Sequence, residues 1–148
     1  MSTSYRNLFC ANPQLHDCEY YTEGSFNNRL VDLNINTNNR GNLALLHLNI
    51  HSISYKLDRF SNFLGSVALK FSVIGICETW LDDSSHSCDI IGFNFFHNHR
   101  VGMTSGGVGL YLSDYLEFKN RVALVFSKDC AESLFVEIFR LLLLYLGI

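Results

Sequence analysis

Two short apolar segments, separated by one amphipathic segment, constrain the fold of this chain most. Residues Leu43 to Leu48 are apolar except for His47, and Phe71 to Cys77 form a second, mostly apolar run. Each run is long enough for a buried strand. Between them, apolar residues recur at steps of three and four, which predicts a helix with one apolar face: Leu57, Phe60, Phe63, Leu64 and Val67. Strand, helix and strand in this order predict a parallel pair joined by a crossover.

Each apolar run is followed by one polar residue that a buried strand does not need. Asn49 follows the first run and Glu78 follows the second. In open α/β sheets, binding and catalytic groups lie at the carboxyl ends of the strands. The simpler alternatives are that Glu78 only terminates its strand and that Asn49 is a turn residue bonded to its own backbone.

The composition indicates a globular domain and gives no separate sign of a nucleic-acid partner. The chain has 148 residues, of which 48% are hydrophobic and 17% are charged. This length fits one domain or part of one, and the composition is not that of a disordered chain. The formal net charge is −3, and no run of Lys or Arg forms a basic stripe of the kind that marks many nucleic-acid-binding proteins.

The cysteines and the apolar runs bear on location. The five cysteines are odd in number and irregularly spaced, which favours a reduced intracellular protein without structural disulfides. The N-terminal residues lack the apolar core of a secretory signal peptide. The longest apolar run, Leu141 to Ile148, is far shorter than the roughly 20 residues of a membrane-spanning helix. We therefore expect an intracellular protein that is neither secreted nor embedded in a membrane.

The chain divides near residue 42. Residues 1–42 are rich in Asn and predict an irregular leader, with one short strand over Arg29 to Ile35. Residues 43–148 predict a domain with a mixed sheet and few helices, of the α/β or α+β class. Its later strands are expected over these ranges, with polar loops at 82–88 and 97–105: Ile90 to Phe96, Val108 to Leu112, Val122 to Phe126 and Leu134 to Ile138. Leu141 to Ile148 is either one more strand or an unpaired apolar tail.

Several short motifs occur in the order of a known superfamily. The first two are Leu48-Asn49-Ile50-His51-Ser52 and Ile74-Gly75-Ile76-Cys77-Glu78-Thr79-Trp80-Leu81. Three more follow: Ile91-Gly92-Phe93, Gly106-Gly107-Val108-Gly109-Leu110-Tyr111 and Glu132-Ser133-Leu134-Phe135-Val136-Glu137-Ile138. Together, over residues 43 to 139, they resemble the endonuclease/exonuclease/phosphatase superfamily, and most of all the endonuclease domains of LINE-type (non-LTR) retrotransposons.

The resemblance implies a fold, a reaction and a metal. The fold is a four-layer sandwich of two packed sheets covered by helices, and the reaction is hydrolysis of DNA phosphodiesters with a divalent ion, usually Mg²⁺. Glu78 would be a catalytic residue and the metal ligand, and Asn49 would orient the phosphate and its water. Both roles suit Mg²⁺, which takes oxygen ligands and is often held by one or two carboxylates and waters.

The later motifs of this superfamily have no counterpart in the sequence. These are a Tyr, an Asp-x-Asn that orients the attacking water, and a terminal Asp-His pair. We therefore expect a partial, truncated sandwich holding the N-terminal half of the domain. Since one missing acid–base group costs about 10²–10⁴-fold in rate, we expect an inactive fragment that self-associates through an uncovered sheet edge. The alternatives are a non-catalytic remnant or binding module, and a phosphatase of the same superfamily.

Other polar and aromatic residues have simpler interpretations. His47 and His51 are expected to be structural, and His97 and His99 to be solvated surface groups. Gly106-Gly107 predicts a tight turn into a strand and not a phosphate-binding loop, because no helix or Lys follows in the required pattern. Trp80 is expected at the rim of the core, with stacking on a nucleic-acid base as the alternative.

Overall fold

The structure is a computed structural model that describes residues 21–35, 43–85, 87–100, 102–103, 105–121, 125, 127–128 and 131–139. The described part contains two helices, α1 (Glu23–Asp32) and α2 (Ile53–Ser66). Its strands, in chain order, are β1 (Leu45–Asn49), β2 (Val73–Cys77), β3 (Phe93–Asn98), β4 (Val108–Ser113), β5 (Glu117–Asn120), β6 (Ser127–Lys128), β7 (Ala131–Glu132) and β8 (Val136–Phe139).

The central element is a four-stranded mixed sheet with the order β1-β2-β4-β3. Strands β1 and β2 are parallel, so the predicted strand–helix–strand unit is confirmed. Strand β4 runs antiparallel to both β2 and β3. Two antiparallel pairs, β5–β8 and β6–β7, form separate two-stranded sheets. Strand β1 therefore lies at an edge of the four-stranded sheet.

Helix α2 covers one face of this sheet. The core contains Ile53 and Phe60 from α2 together with Ile74, Ile76 and Tyr111 from β2 and β4. Ile53, Ile74 and Tyr111 are fully buried. The apolar periodicity that predicted the helix is thus the periodicity of its buried face.

Helix α1 overturns one prediction for the leader. Arg29 to Asp32 are helical, so the short strand predicted over Arg29 to Ile35 is wrong. A capping box between Thr22 and Ser25 starts the helix, and this local hydrogen bonding favours a helix over an extended segment. The amide of Asn27 then bonds to the end of α2, donating to the Ser66 carbonyl at 2.9 Å and accepting from the Ala68 N–H at 2.9 Å.

Several strand boundaries differ from the predicted ones. Strand β2 begins at Val73 instead of Phe71, β3 covers Phe93–Asn98, and β8 begins at Val136. Strand β5 was not predicted, because four residues are too few for a clear alternation. Residues 1–20, 36–42 and 140–148 lie outside the described residues, as do four of the five residues in the strand predicted at Val122 to Phe126.

The fold class is confirmed at the level of a mixed α+β domain with few helices. The four-layer sandwich and the domain boundary at residue 42 stay predictions. In the part of the chain that the structure describes, no helix is long and apolar enough to cross a membrane.

Replacing Ile74 by Ala tests the role of the α2-facing core. Ile74 is fully buried, and deleting such a side chain typically lowers the free energy of unfolding by about 2–5 kcal/mol. Leu45→Ala is the matched control on the same sheet, because Leu45 is 70% exposed and surface changes usually stay within about 0.5 kcal/mol. Denaturant unfolding measures both, and equal effects would contradict this assignment of the core.

Candidate functional site

The ends of β1 and β2 remain joined beyond the last strand residues. The N–H of Ser52 donates to the Glu78 carbonyl at 2.8 Å, and the N–H of Ile53 donates to the Thr79 carbonyl at 3.0 Å. Ser52 is the N-cap position of α2, but its hydroxyl makes no capping bond. The first amides of the helix, which an N-cap side chain would commonly satisfy, are therefore bonded in part to the chain that follows β2.

Four non-glycine residues at these strand ends have left-handed backbone conformations. Their φ values are 50° at His51, 75° at Ser52, 57° at Glu78 and 55° at Trp80. Among the described residues, one other non-glycine residue, Asn34, has a positive φ. Such conformations cost about 1–3 kcal/mol each and tend to cluster at functional sites. The backbone strain is thus concentrated at the two strand ends that were predicted from the sequence to form the candidate site.

The carboxylate of Glu78 has two hydrogen-bond donors on the same oxygen. The indole N–H of Trp80 donates to Oε2 at 2.9 Å, and the backbone N–H of Gly106 donates to Oε2 at 3.2 Å. These two bonds, the Trp80 bond first, lower the pKa of Glu78 against an opposing effect of burial, and the positive charge of Arg100 lowers it further. Glu78 is therefore held as an oriented anion with Oε1 outside these two bonds.

Asn49 lies at the neighbouring strand end, in an exposed position. It is the last residue of β1 and pairs with Cys77, the residue before Glu78. Along β1 the even-numbered Leu46 and Leu48 pack against the core, so Asn49 is on the opposite face and is exposed. The prediction that both residues lie at adjacent strand ends is confirmed in backbone register. The role of their side chains stays a prediction.

The donor set can be tested against Mg²⁺ chemistry. An ionised carboxylate and a neighbouring amide supply the hard oxygen atoms that Mg²⁺ prefers. In the described part of the chain no group of three or more His, Cys, Asp or Glu side chains is arranged to hold a metal. These residues fit an ion that is held by one carboxylate and otherwise by water or a phosphate. They do not fit a closed protein cage.

Trp80 has a role that the sequence did not reveal. It was expected at the rim of the core, and it is half-buried. Its indole N–H, however, is the main hydrogen-bond donor to Glu78. The His51 ring packs over the indole with ring centroids 4.1 Å apart and planes tilted by 53°. Two residues within the predicted motifs therefore form an aromatic pair next to the carboxylate.

Gly106 and Gly107 pack directly against the residues after β2. Both have positive φ, 85° and 83°. The Gly106 carbonyl accepts from the Trp80 N–H at 3.0 Å, and the Gly107 carbonyl accepts from the Thr79 N–H at 3.3 Å. A Cβ on Gly107 would lie 2.3 Å from the Thr79 hydroxyl, so no other residue fits there. The tight-turn interpretation agrees with this packing, but the turn also supplies a donor to Glu78.

An ion pair next to the Gly106–Gly107 turn was not predicted from the sequence. Arg100 was placed on a solvated loop, yet its guanidinium pairs with the carboxylate of Glu132. The side chains of these residues are 21% and 6% exposed. The partners are 32 residues apart in sequence, and the only signal was the membership of Glu132 in the last of the motifs.

The two histidines on the predicted loop 97–105 occupy different surroundings. His97 lies within β3 and not in a loop, and it is exposed as expected. Partial loss of water around its ring lowers the pKa of its imidazole, with a smaller effect of His99. His99 lies 3.3 Å from a carboxylate oxygen of Asp83, and its side chain is 18% exposed. The expectation of two solvated surface histidines is therefore wrong for His99, whose ring is largely covered.

Comparison with known proteins adds no identification. No protein-family model matches the chain, and no curated protein matches it. The family resemblance therefore depends on the motifs alone.

The depressed pKa of Glu78 predicts a pH-dependent signal from Trp80, the only Trp in the chain. Protonation of Glu78 removes the charge that the indole N–H bonds to. Tryptophan fluorescence should therefore change with a midpoint below the ordinary value for Glu of about 4.3. Because the folded-state pKa is lowered, the stabilisation is present above the unfolded-state pKa and is lost as pH falls through the folded-state pKa.

Glu78→Gln is the control for this titration and should abolish the transition. A wild-type midpoint at or above the ordinary value would contradict the hydrogen-bonded, ionised state of Glu78.

Proposed function

We propose that the chain forms the metal-binding part of an endonuclease/exonuclease/phosphatase-type domain, related to the endonucleases of LINE-type retrotransposons. One observation supports this most: the Glu78 carboxylate is fixed as an anion by Trp80 and Gly106. It occupies a strained corner at the end of β2, adjacent in register to Asn49. In this family that corner holds a divalent ion and a DNA phosphate.

The residues suggest a division of roles. Bound Mg²⁺ would supply Lewis acidity at a phosphoryl oxygen. Glu78 would bind the ion, and Trp80 and Gly106 would keep the carboxylate ionised and oriented. Asn49, exposed at the end of β1, would donate its amide N–H to the phosphate or orient water with its amide oxygen.

Positive groups near the strand ends favour a polyanionic partner such as DNA. The ammonium of Lys56 donates to the Ile50 carbonyl at 2.7 Å, immediately after Asn49. A local positive charge of this kind can attract a phosphate even though the chain as a whole is acidic.

The activity of these 148 residues is proposed to be low. The groups that orient the attacking water and protonate the leaving group in this family have no counterpart in the sequence. The second candidate function is therefore a non-catalytic binding module, and the observation that favours it is that the described residues contain no group of three or more His, Cys, Asp or Glu side chains placed to hold a metal.

Mn²⁺ binding tests the metal site directly. The single Trp gives one indole N–H resonance in an NMR spectrum, and its hydrogen bond to Glu78 places it next to the proposed ion. Substoichiometric Mn²⁺ should broaden this resonance, and Mg²⁺ in excess should reverse the effect. Glu78→Gln should remove the broadening, whereas Glu117→Gln, an exposed position on β5, should leave it unchanged.

A supercoiled plasmid incubated with Mg²⁺ tests the activity of the same samples. We expect no nicking above that of Glu78→Gln. Nicking by the wild-type chain that Glu78→Gln abolishes would contradict the low-activity proposal and support a working endonuclease. Equal Mn²⁺ broadening of the Trp80 resonance in the wild type, Glu78→Gln and Glu117→Gln would contradict the metal site.

Among the described strands, β1 has no neighbour on its outer side, and this edge supports self-association of the chain. Strand β1 lies at the edge, and Leu43 and Leu45 are 61% and 70% exposed. Exposed apolar edges promote pairing between copies. Gel filtration should show dimers or larger species whose fraction grows with concentration, and Leu45→Lys should shift them toward monomer. A monomer at all concentrations for the wild type would contradict this proposal.

A further inference from the structure

The Arg100–Glu132 ion pair lies next to the candidate site. Its two-point geometry is more specific than that of an ordinary surface ion pair. The guanidinium approaches the carboxylate through two nitrogens, Nε toward Oε1 and Nη2 toward Oε2 at 3.4 Å. The Glu132 side chain is 6% exposed. Charged partners that are both removed from water are constrained much more strongly than exposed ones, because neither can exchange its partner for solvent.

This pair packs directly on Gly106. A Cβ at Gly106 would lie 3.0 Å from Cζ of Arg100 and 3.1 Å from Oε1 of Glu132. At these distances a side chain at Gly106 would displace the ion pair, and the φ of 85° also favours glycine. The ion pair is thus the support on one side of the Gly106 backbone.

The other side of the Gly106–Gly107 segment faces the residues that follow β2. The Gly106 N–H donates to Oε2 of Glu78, and the Gly106 carbonyl accepts from the Trp80 N–H. The glycine segment therefore lies between the ion pair and the carboxylate, and it contributes one of the two donors on that carboxylate. Displacement of Gly106 would change the direction and strength of this hydrogen bond.

We infer that Arg100 and Glu132 are positioning residues for Glu78, which act by holding the Gly106 N–H against its carboxylate. This inference rests on the proposed function, because a fixed carboxylate matters most where a cation is bound by one protein ligand. Its structural content can be tested without a metal. Arg100 also places a positive charge near Glu78, which acts in the same direction.

The chain contains a matched control pair. Arg121 and Glu137 also form an Arg–Glu ion pair, and their side chains are 43% and 42% exposed. They connect the start of the loop after β5 with β8. Arg121→Met removes the same kind of charge as Arg100→Met but does not affect the support of Gly106.

The experiment follows two N–H resonances in the NMR spectrum of the whole chain at one fixed pH near 7, first without metal. These are the Trp80 indole N–H and the Gly106 N–H, the two donors to Glu78. Glu78→Gln defines the change caused by losing the ionised acceptor. Arg100→Met should move both resonances, Arg100→Lys should move them less because it keeps the charge and loses the fork, and Arg121→Met should leave them in place.

Mn²⁺ affinity supplies the second measurement. The double variant Arg100→Met/Glu132→Gln removes the two opposite charges together and should weaken it about tenfold, the order expected for one hydrogen bond to a charged group, whereas Arg100→Lys keeps both charges and should weaken it less. In the resonance test, Glu132→Gln replaces Arg100→Met with a smaller change in shape should Arg100→Met melt too low for measurement. A melting temperature recorded for each variant separates a general loss of stability from a local effect.

The outcomes separate the two proposals. Wild-type resonance positions in both Arg100→Met and Glu132→Gln, or equal shifts in Arg121→Met, would overturn the positioning role. Shifts confined to the Arg100 and Glu132 variants support that role even if the wild-type chain binds no Mn²⁺. Absence of Mn²⁺ binding by the wild type would instead contradict the proposed function.

Discussion

The backbone hydrogen bonds between the start of α2 and the chain after β2 are the constraint on which the rest of the site depends. The N–H groups of Ser52 and Ile53 bond to the carbonyls of Glu78 and Thr79. These bonds bring the first turn of the helix and the end of the second strand together. The left-handed residues on both sides cost about 1–3 kcal/mol each. Buried neighbours such as Ile53 and Thr79 hold the backbone in these conformations.

This corner determines where the carboxylate of Glu78 can lie. A strand that continued in extended conformation would direct the residue after Cys77 toward the α2 side of the sheet. The φ of 57° at Glu78 interrupts that alternation. The side chain instead meets two donors, one from Trp80 two residues later and one from Gly106 at the start of β4. A charged group at this position is stabilised by short-range bonds and by nearby cations.

The site is also supported from a distance. The Arg100–Glu132 pair comes from the segments after β3 and in β7, and it presses on the glycine turn that contacts Glu78. The residues at the site thus come from the ends of β1, α2 and β2. The residues that support them come from the antiparallel half of the described chain. In metal sites generally, outer partners of this kind orient the ligands, and under the proposed function the ion pair would do so for Glu78.

The sequence by itself determined the local elements and the two strand-end residues. Apolar spacing is a property of neighbouring residues, so it predicted α2, β1 and β2 and placed Asn49 and Glu78 at adjacent strand ends. It failed for Arg29 to Ile35, where the capping box of Thr22 and Ser25 outweighed a short apolar stretch. Tertiary structure alone decided which groups surround the carboxylate. Trp80 reaches Glu78 from only two residues away. Gly106 and the Arg100–Glu132 pair meet there because the sheet brings together segments tens of residues apart, and no periodicity in the sequence encodes a contact of that range.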